Sequence, residues 1–131
     1  MVIQVASQVV EVLRREAEAA QPEEVCGILF GRGSRIERTF ATRNVHAMPE
    51  THFEIDPQEL INAHRAEREG GLQLLGYYHS HPTGEVTPSK TDQAQASGDG
   101  RIWAIVAGSD IRFWQDLPEG FAAVTYELID K

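Results

Sequence analysis

Two histidines one residue apart, His79-Ser80-His81, stand directly before Pro82. A short polar loop follows, and then Pro88-Ser89-Lys90-Thr91-Asp92. In a strand, side chains at i and i+2 project to the same face, so His79 and His81 point the same way. Asp92 falls in what reads as the first turn of the next helix, from where a carboxylate can swing back toward both imidazoles. Two nitrogens and one oxygen make three protein ligands and leave a fourth tetrahedral position for water. That count belongs to catalytic zinc sites, because structural ones are closed by four protein ligands. A second reading needs no metal. Ser-x-x-Asp resembles a capping box, and an aspartate is favourable at a helix N-terminus by itself.

The elements that must position these residues are legible around them. Leu72 to Tyr78 is apolar and aromatic and reads as a buried strand that delivers His79. Pro82 has no N–H to donate and fixes φ, so the strand stops after the second histidine. Ser89 is placed to cap a short helix running to about Ala96.

Upstream, Ser7 to Ala20 has an apolar stripe of Val9, Val10, Leu13, Ala17 and Ala20, the period of an amphipathic helix. Ser7 is its candidate cap, and Pro22 ends it. Glu24 to Phe30 and Arg35 to Thr42 read as two strands joined by the turn Gly31-Arg32-Gly33-Ser34. Asn44 to His52 is irregular, and Phe53-Glu54-Ile55 is a short strand. Asp56-Pro57-Gln58-Glu59 starts a helix with an Asp cap and Pro at the first position. Leu60, Ile61 and Ala63 are expected to face inward, and Gly70-Gly71 stops the helix.

Downstream, Ile102 to Ala107 is uniformly apolar, as in a central strand. Ile111 to Trp114 and Phe121 to Ile129 follow as strands, and Trp103 and Trp114 read as core or sheet-face residues. The order predicts an α/β layered domain, a mixed sheet flanked by helices.

The motif resembles the JAMM metalloprotease signature of MPN-type domains. That signature is an upstream Glu, then His-x-His-Pro, a spacer and Ser-x-x-Asp. Glu24, His79-Ser80-His81-Pro82, Ser89 and Asp92 supply every part, and Glu24 stands two residues before Cys26-Gly27 as the family's glutamate does. The resemblance covers essentially the whole chain. It implies the MPN (cytidine-deaminase-like) fold and Zn²⁺ held by His79, His81 and Asp92. It also implies Glu24 as the base that moves the water's proton, and Ser89 as a donor to the oxyanion. The neighbouring Glu23 would point to the opposite face of a regular strand.

Such domains hydrolyse amide bonds at the C-terminal Gly of ubiquitin-like proteins. The short spacers resemble the stand-alone prokaryotic form, which implies sulfur-carrier proteins as substrates. Releasing an amino acid from the carrier and trimming its tail are both compatible with the sequence. A zinc hydrolase of other peptides or small amides, and a non-catalytic MPN-type scaffold, are the alternatives. A zinc deaminase needs Pro-Cys-x-x-Cys, which a chain with one cysteine lacks.

Composition sets the bounds. At 131 residues and 41% hydrophobic content the chain fits one globular domain, residues 1–131. A net charge of −8 gives it no electrostatic reason to hold nucleic acid or an anionic membrane. The lone Cys26 fits a reducing, cytoplasmic setting and reads as a buried, inert thiol. No segment has the pattern of a signal peptide or a membrane span. His46 and His52 lie in the irregular connection without a motif partner and read as solvated, with a metal-ligand or substrate-contact role as the alternative. Oligomeric state is not legible.

Overall fold

The computed structural model describes residues 1–130. Its seven strands are β1 (Val2–Ala6), β2 (Cys26–Arg32), β3 (Arg35–Thr42), β4 (Gln73–Ser80), β5 (Ile102–Ala107), β6 (Asp110–Leu117) and β7 (Gly120–Ile129). Its helices are α1 (Ser7–Ala20), α2 (Pro57–Arg68) and α3 (Lys90–Gln95). The strand order is β1-β3-β2-β4-β5-β6-β7, and β7 pairs parallel to β1, which closes the sheet into a barrel. The sheet is mixed as expected: β4–β5, β1–β3 and β1–β7 are parallel, and the remaining pairs are antiparallel.

Closure depends on β1, which the sequence reading left unassigned. Val-Ile-Gln-Val-Ala is short, but Ile3 and Val5 are buried while Val2 is exposed, the alternation of a half-covered strand. β1 runs straight into α1, whose cap position is Ala6 with no side-chain hydrogen bond, so Ser7 does not cap it. No room is left for a capping turn between the two elements.

Two apolar clusters flank the sheet. One joins the α1 stripe of Val9, Val10, Leu13 and Ala17 to Leu29, Ile36, Tyr78, Val106 and Phe113. The other gathers Cys26, Ile28, Phe53, Ile55, Ala63, Leu74 and Trp103 beside α2. Of the expected inward face of α2, Ala63 is buried and Leu60 packs on the cluster, but Ile61 is half exposed. Phe53-Glu54-Ile55 is no strand; Ile55 makes a single bridge to Asn44.

The register brings Cys26 opposite His79 on β2 and β4, and His79 opposite Ile105 on β4 and β5. Close approach at β4 requires glycines. A Cβ on Gly27 would lie 2.4 Å from the Tyr78 ring, and one on Gly76 would lie 1.7 Å from the Ile102 carbonyl oxygen. Among the described residues no helix is long and apolar enough to cross a membrane.

Candidate metal centre

β4 carries His79 on the α2 side of the sheet, and His81 follows one residue past the strand end. α3 returns over them and presents Asp92 from its first turn. The donor atoms converge. His79 Nε2 and His81 Nε2 are 3.0 Å apart, and each lies 3.1 Å from an Asp92 carboxylate oxygen. Two ligands about 2.0–2.1 Å from a tetrahedral centre are about 3.3 Å apart, so this spacing suits one small cation. All three residues are buried. Among the described residues they are the one group of histidine, cysteine and acid side chains that could hold a metal ion.

The surroundings hold each donor in place. His81 Nδ1 lies 2.6 Å from the Glu85 carbonyl. A carbonyl only accepts, so Nδ1 carries a proton, and in the neutral ring Nε2 is the nitrogen left with a lone pair to offer. His79 is held by rings. Phe53 stacks on it at 4.2 Å, and Trp103 meets it edge-on at 5.7 Å. Its Nδ1 is buried without a partner among the described residues.

Asp92 satisfies both sequence readings at once. Its backbone N–H donates to Ser89 Oγ at 3.0 Å, and its Oδ2 accepts from Ser89 N–H at 2.9 Å, which is a complete capping box. The same carboxylate faces the two imidazoles. Ser89 Oγ accepts within this box, so its O–H proton remains available for an outside acceptor.

Charge follows from burial and contact. Burial opposes the Asp92 carboxylate, but hydrogen bonds from His79, His81 and Ser89 outweigh it and hold its pKa below the usual range. Burial lowers His79 against the pull of Asp92. For His81 burial is outweighed by Asp92, the Glu85 carbonyl and Glu24, and its pKa rises. Glu24 is buried just ahead of β2. Burial pushes its pKa up to about 7, His81 partly offsets this, and Asp92 adds to it. Glu23 is exposed. Cys26 is buried with its thiol pKa raised, chiefly by burial, as an inert cysteine should be.

His46 and His52 stand outside the centre. They stack on each other at 4.6 Å, with His46 Nδ1 accepting from the Met48 N–H. His46 also lines a groove of about 420 Å³ floored by Phe53, Ile55, Leu60, Tyr77 and Trp103, with Gln95 of α3 on its edge.

Several supports were not legible in the sequence. Phe53 and Trp103 carry no motif, and the Glu85 contact is made by backbone. Trp114 donates its indole N–H to the Val86 carbonyl at 3.0 Å, tying the loop between His81 and Ser89 to β6. Buried Asp116 accepts from Ser97 and Gly98 N–H, both at 3.1 Å, and so fixes the chain leaving α3.

A family model described as prokaryotic homologues of the JAB domain matches residues 6–117. A desampylase of Haloferax volcanii is 37% identical over 94 residues, 70% of this chain and 68% of the relative. A probable TtuB-protein conjugate cleaving protease of Thermus thermophilus is 36% identical over 92% of this chain and 79% of its own length. A CysO-cysteine peptidase of Mycobacterium tuberculosis is 30% identical over 98% and 84%. A solved structure from Desulfitobacterium hafniense has a TM-score of 0.85 at 26% identity, covering 100% of this chain and 94% of that one. A JAB1/MPN domain protein of Archaeoglobus fulgidus matches at a TM-score of 0.68 and 18% identity, covering 98% and 100%, a likeness of fold.

Proposed function

We propose that this chain, which belongs to the family of prokaryotic homologues of the JAB domain, is a zinc metallopeptidase acting at the C-terminal Gly of a ubiquitin-like or sulfur-carrier protein. We read residues 1–131 as one catalytic domain. The observation that carries the reading is the convergence of two imidazoles and one carboxylate, with the buried Glu24 just ahead of the strand that pairs with β4. The relatives support the substrate class, since their names describe a desampylase, a conjugate-cleaving protease and a CysO-cysteine peptidase.

His79 and His81 through Nε2, and Asp92 through its carboxylate, would hold the ion. When bound, zinc supplies Lewis acidity, polarising a carbonyl and lowering the pKa of water toward ~7. The chain's residues do the rest. The Glu24 carboxylate takes the proton of the attacking water and gives it to the leaving amine nitrogen. The Ser89 O–H donates to the oxyanion as the carbonyl becomes tetrahedral; losing one such donor typically costs ~2.7–4 kcal/mol of barrier. Glu85 fixes the His81 tautomer, and Phe53 and Trp103 keep water from the far side of His79.

The test uses a carrier protein with an amine amide-linked to its C-terminal Gly, read by intact mass. The wild-type chain should remove the amine and lose this activity to a chelator. Glu24→Ala should keep zinc and lose turnover, whereas His79→Ala should lose both. Unchanged turnover in Glu24→Ala would remove the proposed base.

A further inference from the structure

Glu24 lies just ahead of β2, and the histidines stand at the end of β4, so its placement depends on how β2 is fixed to β4. The regular ladder ends where Cys26 faces His79. One residue further, Ser80 N–H donates to the Val25 carbonyl at 3.1 Å. The Val25 N–H answers by donating to the Ser80 hydroxyl, at 2.9 Å. A side-chain oxygen thus closes the final rung, directly beside Glu24, and Ser80 is 2% exposed.

Glu24 is gripped on its other side as well. Its N–H donates to the Pro49 carbonyl at 2.7 Å, and its carbonyl accepts from Asn44 Nδ2 at 3.0 Å. Asn44 Nδ2 also donates to the His52 carbonyl at 2.9 Å, while Oδ1 accepts from the N–H groups of His46 and Glu54, both at 3.1 Å. The carboxamide has two donors and two acceptor sites, and all four are used. Asn44 therefore ties Glu24 to the segment whose Phe53 stacks on His79.

We infer that Ser80 and Asn44 are positioning residues, which mount the Glu24 backbone against the His79–His81 strand end and so set the reach of its carboxylate. The inference rests on the reading of Glu24 as the base. Ser80 occupies the x of His-x-His, a position to which the motif gives no role. Both residues act through Glu24; neither needs to touch substrate or ion. The mount matters because a displacement of ~1 Å in a reacting group can cost ~10²-fold in rate.

The test compares zinc-loaded wild type, Ser80→Ala, Ser80→Thr and Asn44→Ala in the full chain. Ser80→Ala should lower kcat ~10–100-fold with KM and zinc affinity within ~2-fold of wild type. Amide hydrogen exchange at Val25 should accelerate by ~10-fold or more, since its acceptor is gone. Ser80→Thr, which keeps the hydroxyl, should restore both values. Asn44→Ala should lower kcat in the same way if it folds. In a Glu24→Gln background, Ser80→Ala should leave the residual rate unchanged. Wild-type kcat in Ser80→Ala despite faster Val25 exchange would overturn the inference. So would zinc affinity falling in step with kcat, because Ser80 would then be serving the ligands. If wild type cleaves no carrier, the proposed function fails, and Val25 exchange then decides the mount alone: unchanged exchange in Ser80→Ala overturns it.

Discussion

Asp92 shows how one side chain serves two ends. It completes the α3 capping box and closes the ligand set with the same carboxylate. Asp92→Asn keeps the size and a hydrogen-bonding oxygen but discards the charge. Zinc affinity should fall at least ~100-fold, beyond the loss typical of a supporting residue, while α3 persists by amide exchange. Glu24 titrates in the opposite sense. Its folded pKa, about 7, lies above the ordinary value of 4.5. Stability from this group is therefore full below pH 4.5 and lost as pH rises through 7. In the metal-free protein, Glu24→Gln should gain on the order of 1–2 kcal/mol over wild type between pH 5 and pH 8, after discounting partial solvent access. Urea unfolding at the two pH values measures this, and parallel curves would refute it. Gly27→Ala should cost ~1–3 kcal/mol, because its methyl meets the ring of fully buried Tyr78, whose hydroxyl donates to Glu16 at 2.7 Å.

At the scale of elements, the site is a strand end and a helix start facing each other, held by a loop with its own fastening. Removing the Trp114 indole bond to Val86 by Trp114→Phe should cost ~1 kcal/mol and loosen residues 82–89 before the sheet, as seen by amide exchange. The parts of the site that were legible in the sequence are those written locally. His-x-His follows from the period of two, Pro82 from its missing N–H, and Ser89–Asp92 from helix-start chemistry. Even the choice between cap and ligand for Asp92 dissolved, because the geometry permits both. What was not legible runs through backbone groups or across distant strands. Glu85 acts by its carbonyl, Asn44 by a carboxamide whose four partners lie in three segments, and Phe53 by a ring stacked on a residue of another element. β1 escaped because five residues running straight into a helix carry no turn signal.

At the scale of the molecule, closure of the sheet by β1 and β7 leaves the metal centre at the end of one strand, with an apolar cluster on each face. Binding to the folded state alone adds stability by mass action. Zinc at 100-fold over its Kd should raise unfolding free energy by about 2.7 kcal/mol, and a chelator should reverse it. His79→Ala should show no such rise. Affinity should also weaken below neutral pH, since an ion must displace protons from the His81–Asp92 cluster, where His81 is more basic than an ordinary histidine.

Zinc affinity, measured by chelator competition across wild type, Glu24→Gln, His79→Ala, His81→Ala and Asp92→Ala, tests the central assignment most directly. Wild type and Glu24→Gln should bind one ion with equal affinity, and the other three should bind at least ~100-fold more weakly. Loss of zinc in Glu24→Gln, or wild-type affinity in any of the three ligand variants, would contradict the division between the residues that hold the ion and the one that moves the proton.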